Sequence, residues 1–432
     1  HLRAGHLYIA ILFIAFFGLL GIGVPVAFAL AGSSLVYVLV SGAVPDVVVL
    51  HRMVNGIDSF PLLAVPFFIL AGNLMNSAGI TNRIFGFARA LVGWMRGGLG
   101  HVNVGASVVF AGMSGAAVAD AGGLGTIEVK AMRDAGYDRG FSVGVTAASS
   151  TIGPIIPPSL PMVIYGVMAN ASIGQLFAAG FIPGLLMAVS LMVMIAWYAR
   201  VRNYPRDAAF DLCVLWHATQ KAFLSLMTPL IIVGGILSGM VTPTEAAIAA
   251  VFWALILGIF VYRTLTMTRL VRVSMETIET TASIMLIVAG ASIFAWILTS
   301  NRVTEHFAAL VLMISDNPII ILILLNVILL VAGCFLETIA AITILVPVLL
   351  PVAISIGIDP VHFGVIMVLN LMIGLLTPPI GLVLYVLAKV TNIPFDVCMR
   401  ATLPFLVPLV VVLALVTFIP SLSMFVPNLV YR

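Results

Sequence analysis

The sequence predicts an all-α polytopic membrane protein built from two inverted-topology repeats, and three observations predict it. The 432 residues are 62% hydrophobic and only 8% charged, with a mean hydropathy of +1.24. Long apolar runs recur along the whole chain. A shift of 221 residues lays Ala111–Leu185 on Ala332–Leu406 without a gap, setting Gly112 on Gly333.

A soluble domain is about a quarter charged. A chain this poor in charge cannot cover its exterior with polar side chains, so lipid must be its solvent. The runs at 7–22, 24–40, 177–198, 223–240, 246–262, 319–332 and 403–425 have the length and character of membrane-spanning helices. Residues 61–74, 141–167 and 283–299 add further spans, some interrupted by proline or polar residues. Continuous rather than alternating hydrophobicity excludes a β-barrel. The net charge of +3 comes without any Lys/Arg run and gives no nucleic-acid groove. Cys213, Cys334 and Cys398 stand far apart in no metal or redox motif. The opening stretch, His1 to His6, resembles no cleavable signal and reads as a processed or cut end.

Positive charges mark the cytoplasmic side. Arg200, Arg202, Arg206 and Lys221 form one basic group, and Arg263, Arg269 and Arg272 a second; two spans joined by a short turn place both on one face. Counting back through 177–198 and the proline-broken span puts Lys130, Arg133 and Arg139 there too, and Arg83, Arg89 and Arg96 belong there by their charge. The apolar stretch between these last two groups cannot cross once and leave both on one side. It must enter and return as a re-entrant hairpin, or cross twice with very short helices, and its glycines, among them Gly112, Gly115, Gly122, Gly123 and Gly125, favour the hairpin. Bent backbone at membrane depth is tolerable only where protein or water covers it, so this hairpin lines a site.

The self-alignment pairs Gly136 and Asp138 with Gly357 and Asp359, Ile152-Gly153 with Ile373-Gly374, Pro157-Pro158 with Pro378-Pro379, and Pro183 with Pro404. Hydrophobic bias does not generate matched glycines and prolines at helix breaks. From the cytoplasmic Arg272 the span 283–299 leads outside, so the second hairpin enters from the opposite face. The expected organisation is N-terminal scaffold helices and an interfacial arm over 1–60, and a first repeat over 61–200. A linker, scaffold helices and second arm then fill 201–281, and a second repeat fills 282–432. The hairpins fall near 97–130 and 319–353, and the broken helices near 141–168 and 363–388. Such repeats are the architecture of many secondary transporters, with a site at the midplane.

The chemistry concentrates in two proline-broken segments, Ser149-Ser150-Thr151-Ile152-Gly153-Pro154-Ile155-Ile156-Pro157-Pro158-Ser159 and Asn370-Leu371-Met372-Ile373-Gly374-Leu375-Leu376-Thr377-Pro378-Pro379-Ile380-Gly381. Proline lacks a donor and clashes with the preceding turn, so each helix unwinds there. Unwinding frees carbonyls, which with Ser and Thr hydroxyls suit Na⁺. The facing half-helix N-terminus suits a carboxylate. A plain proline kink is the bland alternative, less apt for a matched pair.

At the hairpin tips, Ser114 and Thr338 offer hydroxyls, though a buried hydroxyl often bonds its own helix. Asp120 and Glu337 are ionisable groups at membrane depth and so functional candidates; helix capping explains each equally well. Glu245 in Thr242-Pro243-Thr244-Glu245 reads as helix-start chemistry. The amphipathic stretches 47–60 and 265–281 read as arms along the interface. No HExxH pairing, no Gly-rich loop ending in Lys-Ser/Thr and no paired nucleophile and base are present, which argues against an ATPase or an intramembrane hydrolase. Inverted hairpins also suit alternating access better than a passive channel.

These motifs, with Phe60-Pro61-Leu62-Leu63-Ala64-Val65-Pro66-Phe67-Phe68-Ile69-Leu70-Ala71-Gly72 and Ala111-Gly112-Met113-Ser114-Gly115, resemble the large membrane subunit, of DctM/SiaM type, of tripartite ATP-independent periplasmic (TRAP) transporters. The resemblance covers essentially the whole chain. It implies a multi-pass protein of a bacterial or archaeal cytoplasmic membrane and Na⁺ as coupling ion. It implies an organic-acid substrate such as sialic acid or a C4-dicarboxylate, delivered by a periplasmic substrate-binding protein. It implies a small membrane subunit of DctQ/SiaQ type, separate or lost from this chain, and an elevator motion of both hairpins and both broken helices. It places Na⁺ and substrate near Ser114, Ser149, Ser150 and Gly153, and near Gly333, Thr338, Gly374 and Thr377. A stand-alone Na⁺- or H⁺-coupled carrier without a binding protein is the other reading.

Overall fold

The computed structural model describes residues 2–432 and is helical from end to end. Helix α1 (Leu2–Gly21) is followed, past Gly23 and Pro25, by α2 (Val26–Ser41), α3 (Val47–Ile57), a 3₁₀ turn at Phe60–Leu63, α4 (Ala64–Ser77) and α5 (Ile80–Val92). Next come α6 (Gly98–Ser114), α7 (Ala117–Gly122), α8 (Leu124–Asp134), α9 (Arg139–Ser150), α10 (Leu160–Ala169), α11 (Ile173–Ala179) and α12 (Phe181–Arg202). The central helices are α13 (Leu212–Leu237), α14 (Pro243–Ile256), α15 (Met267–Ser300) and α16 (Val303–Ile314). The chain ends with α17 (Pro318–Phe335), α18 (Thr338–Ser355), α19 (Pro360–Leu375), α20 (Leu382–Thr391), α21 (Phe395–Phe418) and α22 (Pro420–Val430). Among the described residues eight helical stretches are long and apolar enough to cross a membrane.

The 221-residue shift reappears as geometry. It carries the start of α7 at Ala117 onto Thr338, the start of α18, and the end of α8 at Asp134 onto Ser355, where α18 ends. It carries the start of α9 at Arg139 onto Pro360, the start of α19. One difference stands out: the return arm of the first hairpin is split at Gly123, whose φ/ψ of −86/−80 leaves the helix, whereas α18 runs unbroken.

Both ends of the first hairpin meet one loop. Gly97 donates its N–H to the Pro205 carbonyl (3.2 Å) and Arg89 forks onto Asp207 (2.5 and 2.6 Å) on the entry side. On the return side Asp138 accepts from Tyr204 (2.8 Å) and Arg202 (3.0 Å). The chain therefore enters and returns on the basic face. The base of the second hairpin lies at the opposite end: Tyr165, in the second half of α10, donates to the Pro360 carbonyl (2.5 Å). In turn α20 ends beside the base of the first hairpin, where Thr391 shares a small cavity with Lys130 and Arg133. The two broken helices thus run in opposite directions.

Three expectations change. The amphipathic stretch 265–281 is no separate arm but the first half of the 34-residue α15, which continues through 283–299. No proline lies between Met267 and Ser300, so nothing interrupts the ladder. At 1.5 Å per residue this helix is about 51 Å long, well beyond a hydrocarbon core. The run 403–425 is two helices, parted where Ile419 leaves helical geometry (φ −117, ψ 89) and Pro420 opens α22. The stretch 47–60 does not lie free, since Arg52 stacks on Trp296 (4.8 Å) and Gly56 abuts Ser292 of α15. Glu245 has its expected place: it and Thr242 form a reciprocal capping box at the start of α14.

Small residues set a close backbone contact within the second repeat. A Cβ at Gly374 would lie 2.7–2.8 Å from the backbone of Gly333, so α17 and α19 touch through bare glycine. Gly374→Leu is expected to force them apart and lower the melting temperature in detergent, an overpacking cost of about 1–3 kcal/mol. Gly18→Leu, at a position facing open space, should leave melting unchanged; equal melting of the two variants would contradict this packing.

Candidate functional site

Both hairpin tips and both breaks open on one cavity of about 610 Å³. The first repeat contributes Ala116, Ala117, Val118, Pro154, Leu160 and Pro161, and the second Glu337, Thr338, Ile339, Ala340, Met372, Leu375 and Leu382. The start of α2 (Pro25, Val26, Ala27, Phe28) and the middle of α15 (Thr280, Ser283, Ile284, Leu286, Ile287) close the remaining side. A larger cavity of about 1230 Å³ lies between α5 and α13 and contains none of the predicted site residues.

The sequence makes four helices start at this cavity: α7, α10, α18 and α20. Each start presents N–H groups without intrahelical partners and a partial positive charge. No Lys, Arg or His lines the cavity, so any attraction for an anion comes from backbone. The four starts are unequal. At α18 the Glu337 carboxylate accepts from the N–H groups of Ile339 (3.1 Å) and Ala340 (3.2 Å), so that end already holds an internal anion. At α10 Ser159 accepts from the Met162 N–H (3.2 Å), and the Leu160 N–H bonds the Gly115 carbonyl (3.2 Å), docking the hairpin tip onto the broken helix. Helix α20 begins at Gly381 (φ +55) without any side-chain cap.

At the first break the carbonyls of Gly153, Pro154, Ile156 and Pro157 receive no backbone donor among the described residues. The Pro157–Pro158 peptide is cis, as is Pro378–Pro379. Pro158 packs on the tip, where its carbonyl oxygen stands 2.7 Å from a Cβ built on Gly115 (φ +66). Ser114 donates its hydroxyl to Oδ1 of Asp120. The other oxygen, Oδ2, is buried without a partner and faces Gly153, where an added Cβ would come within 3.2 Å of the Asp120 Cγ. Ser114, Asp120 and Gly153 are thus together. Freed carbonyls, a hydroxyl and a carboxylate form an all-oxygen donor set of the kind hard cations take. Asp120 does not cap the return helix.

Ser149 and Ser150 point elsewhere. Ser149 donates to Asn103 Oδ1 (2.6 Å) and accepts from Ser107 (3.1 Å), while Asn103 donates to Thr146 (2.7 Å), a buried network clamping α9 to α6. Ser150 bonds the Ala147 carbonyl of its own helix (2.7 Å). The second repeat has a like clamp, Asn370 to Asn326 (2.9 Å), and Asn370 is the residue that the shift sets on Ser149. Thr377 bonds the Ile373 carbonyl (2.7 Å), and Gly333 and Gly374 serve the contact between α17 and α19. Beside them Pro378 and Pro379 form the turn that ends α19. Thr338 differs: its hydroxyl is buried, lines the cavity and has no partner.

Sequence reasoning missed Thr280, inside the segment that reads as an arm, Ser283, at the start of the span 283–299, and Glu128. The last stands in Thr126-Ile127-Glu128-Val129-Lys130, at the end of the predicted hairpin, and is 2% exposed.

Comparison with known proteins agrees with this architecture. Residues 13–422 match the family model of the tripartite ATP-independent periplasmic transporter, DctM component. The chain is 51% identical to the sialic acid TRAP transporter large permease protein SiaM of Vibrio cholerae, over 95% of this chain and 96% of that protein. It is 44% identical to the sialic acid permease SiaT of Haemophilus influenzae, over 99% of this chain and 69% of that protein. It is 40% identical to the C4-dicarboxylate permease DctM of Pseudomonas aeruginosa, over 86% and 87% respectively. The crystal structure of the YdaH transporter of Alcanivorax borkumensis shares the fold at 15% identity, with a TM-score of 0.64 over 85% of this chain and 86% of that one. The chain belongs to the DctM family of TRAP transporter membrane components, and is a multi-pass transporter of the cytoplasmic membrane rather than an enzyme.

Proposed function

We propose that this protein takes up an organic acid delivered by a periplasmic substrate-binding protein, driven by Na⁺ and completed by a small membrane subunit, with the hairpins and broken helices moving as one body. The observation that carries the substrate class is the cavity, where four helix starts replace basic side chains and one of them is already occupied by Glu337. That arrangement suits a single carboxylate. The unpartnered hydroxyl of Thr338 suits a polyol, and those of Thr280 and Ser283, which donate to the Glu276 and Glu279 carbonyls of their own helix (2.9 and 3.0 Å), can still accept from one. Together they favour a sugar acid of the sialic acid class over a dicarboxylate, in keeping with the closer similarity to sialic acid permeases than to the C4-dicarboxylate permease.

Na⁺ is supported by the oxygen donors at the first break. Residues of this chain supply the rest of the mechanism: helix starts orient the carboxylate, Thr338 anchors a hydroxyl, and the apolar walls exclude water. Movement as one body is supported by the clamps between each hairpin and its broken helix, and by a small-residue contact with α13, where Gly112 meets Pro229.

In proteoliposomes, uptake should require both an inward Na⁺ gradient and the binding protein. Full Na⁺-driven uptake of free substrate would instead support a stand-alone carrier. Thr338→Val should raise the KM for substrate about tenfold, the loss of one hydrogen bond in a dry site; an unchanged KM would remove Thr338 from the binding surface. Gly112→Leu builds into Pro229, whose Cβ lies 2.6 Å from where the added Cβ would stand. Substrate binding should persist while uptake falls at least about tenfold, and wild-type uptake would count against sliding along α13.

A further inference from the structure

The basic residues that mark the cytoplasmic side are not all spread over open surface. Arg83 of α5 and Lys221 of α13 line one cavity, the space of about 1230 Å³ between these two helices. Residues four apart share a helix face, which brings His217 into line with Lys221 on α13 and Phe87 with Arg83 on α5. Tyr262, just past α14, lines the cavity as well. Its ring carries the Arg83 guanidinium at 3.6 Å, and its hydroxyl bonds that of Ser225 (2.9 Å). Arg83 also donates to the Gly79 carbonyl (3.2 Å). The guanidinium is therefore held in place, while its other N–H groups make no hydrogen bond among the described residues.

Among the described residues no Asp or Glu lines this cavity. The acids close by in sequence are committed elsewhere: Asp207 to Arg89, and Asp211 to the start of α13, where it accepts from the Cys213 N–H (2.8 Å). Neither Arg83 nor Lys221 belongs to an ion pair among the described residues. Two like charges on one cavity repel, and a shared anion relieves the repulsion through charge-assisted hydrogen bonds. Beside the charges the wall is apolar, through Phe87, Val214 and Ala218. Leu212, Val214, Trp216 and Phe223 are all exposed, so this part of α13 is turned to the bilayer with a tryptophan near its start. A small free anion gains nothing from such a wall, whereas a phospholipid does.

We propose that the cavity between α5 and α13 seats the phosphate headgroup of an anionic phospholipid of the inner leaflet. Arg83 and Lys221 hold the phosphate oxygens, and His217 adds a hydrogen bond. Phe87, Val214 and Ala218 cover the glycerol and the first carbons of the acyl chains. Basic pockets between membrane helices on the cytoplasmic side suit such headgroups, because that leaflet carries the anionic lipids. The lipid ties α5, which leads into the first hairpin, to α13.

Melting of the purified full chain in a neutral detergent is followed against dioctanoyl phosphatidylglycerol. Two probes run beside it: dioctanoyl phosphatidylcholine, with the same chains and no net charge, and glycerol 3-phosphate, with the phosphate and no chains. Only the phosphatidylglycerol should raise the melting temperature. Arg83→Gln and Lys221→Gln should each move the midpoint of that rise upward about tenfold, the loss of one charge-assisted contact. Arg272→Gln removes a charge from the same face but outside the cavity and should leave the midpoint unchanged. Gly86→Leu keeps every charge and fills the cavity, since a Cβ built there meets nothing within 4 Å. It should abolish the lipid response without lowering melting in lipid-free detergent, because leucine is the better helix former, and it answers the question alone if the charge variants do not fold. An equal rise with phosphatidylcholine would overturn the headgroup assignment, and an equal rise with glycerol 3-phosphate would make this a site for a free phosphate. A wild-type response in Gly86→Leu, or an equal midpoint shift in Arg272→Gln, would reduce the effect to diffuse surface charge. Loss of the response on adding the small membrane subunit would assign the cavity to a protein partner and overturn the lipid.

Discussion

An unwound helix inside a bilayer carries carbonyl groups that lipid cannot hydrogen-bond, and this constraint shapes the rest of the molecule. The two Pro-Pro segments remove donors that no neighbouring turn replaces. Each break must then be wrapped in protein, and each hairpin does the wrapping for its own repeat. Gly115 bonds the start of α10 through its carbonyl, and α17 lies against α19 through Gly333 and Gly374. The hairpin bases stay at opposite ends of the bundle because the broken helices run in opposite directions.

Wrapping the breaks creates the site as a by-product. Re-entrant tips and half-helices must all begin somewhere near the middle of the fold, so four helix starts gather around one cavity. That supplies positive potential without lysine or arginine, which would be costly to desolvate at this depth. The fold also uses its own side chains to tune the potential. Glu337 occupies the start of α18, while the start of α20 is left uncapped. Polar side chains that a motif reading assigns to ligand binding are partly diverted to holding elements together, as the Ser149–Asn103 and Asn370–Asn326 clamps show.

Symmetry here belongs to the backbone and not to the side chains. Helix boundaries correspond across the 221-residue shift, because glycine and proline at matched positions dictate where helices stop. Asp120 and Glu128 answer to Ala341 and Leu349, and the return arm of the first hairpin breaks at Gly123 where α18 continues. A duplicated architecture can thus hold two chemically different halves.

Much was legible in the residues alone. Composition fixed the solvent as lipid, the basic groups forced the stretch between Arg96 and Lys130 to return to its own side, and the paired Pro-Pro motifs located both breaks. These succeed because they depend on properties local to the chain: transfer energy, charge and the missing donor of proline. The tertiary structure alone decided which oxygen atoms face the site. Ser150 and Thr377 turn to their own helices, Thr338 stays free, and Glu128 is buried. It also decided that α15 is one helix and that 403–425 is two. The physical reason is that a hydroxyl or carboxyl has several partners of nearly equal energy within reach, and only the packing of neighbouring helices selects among them.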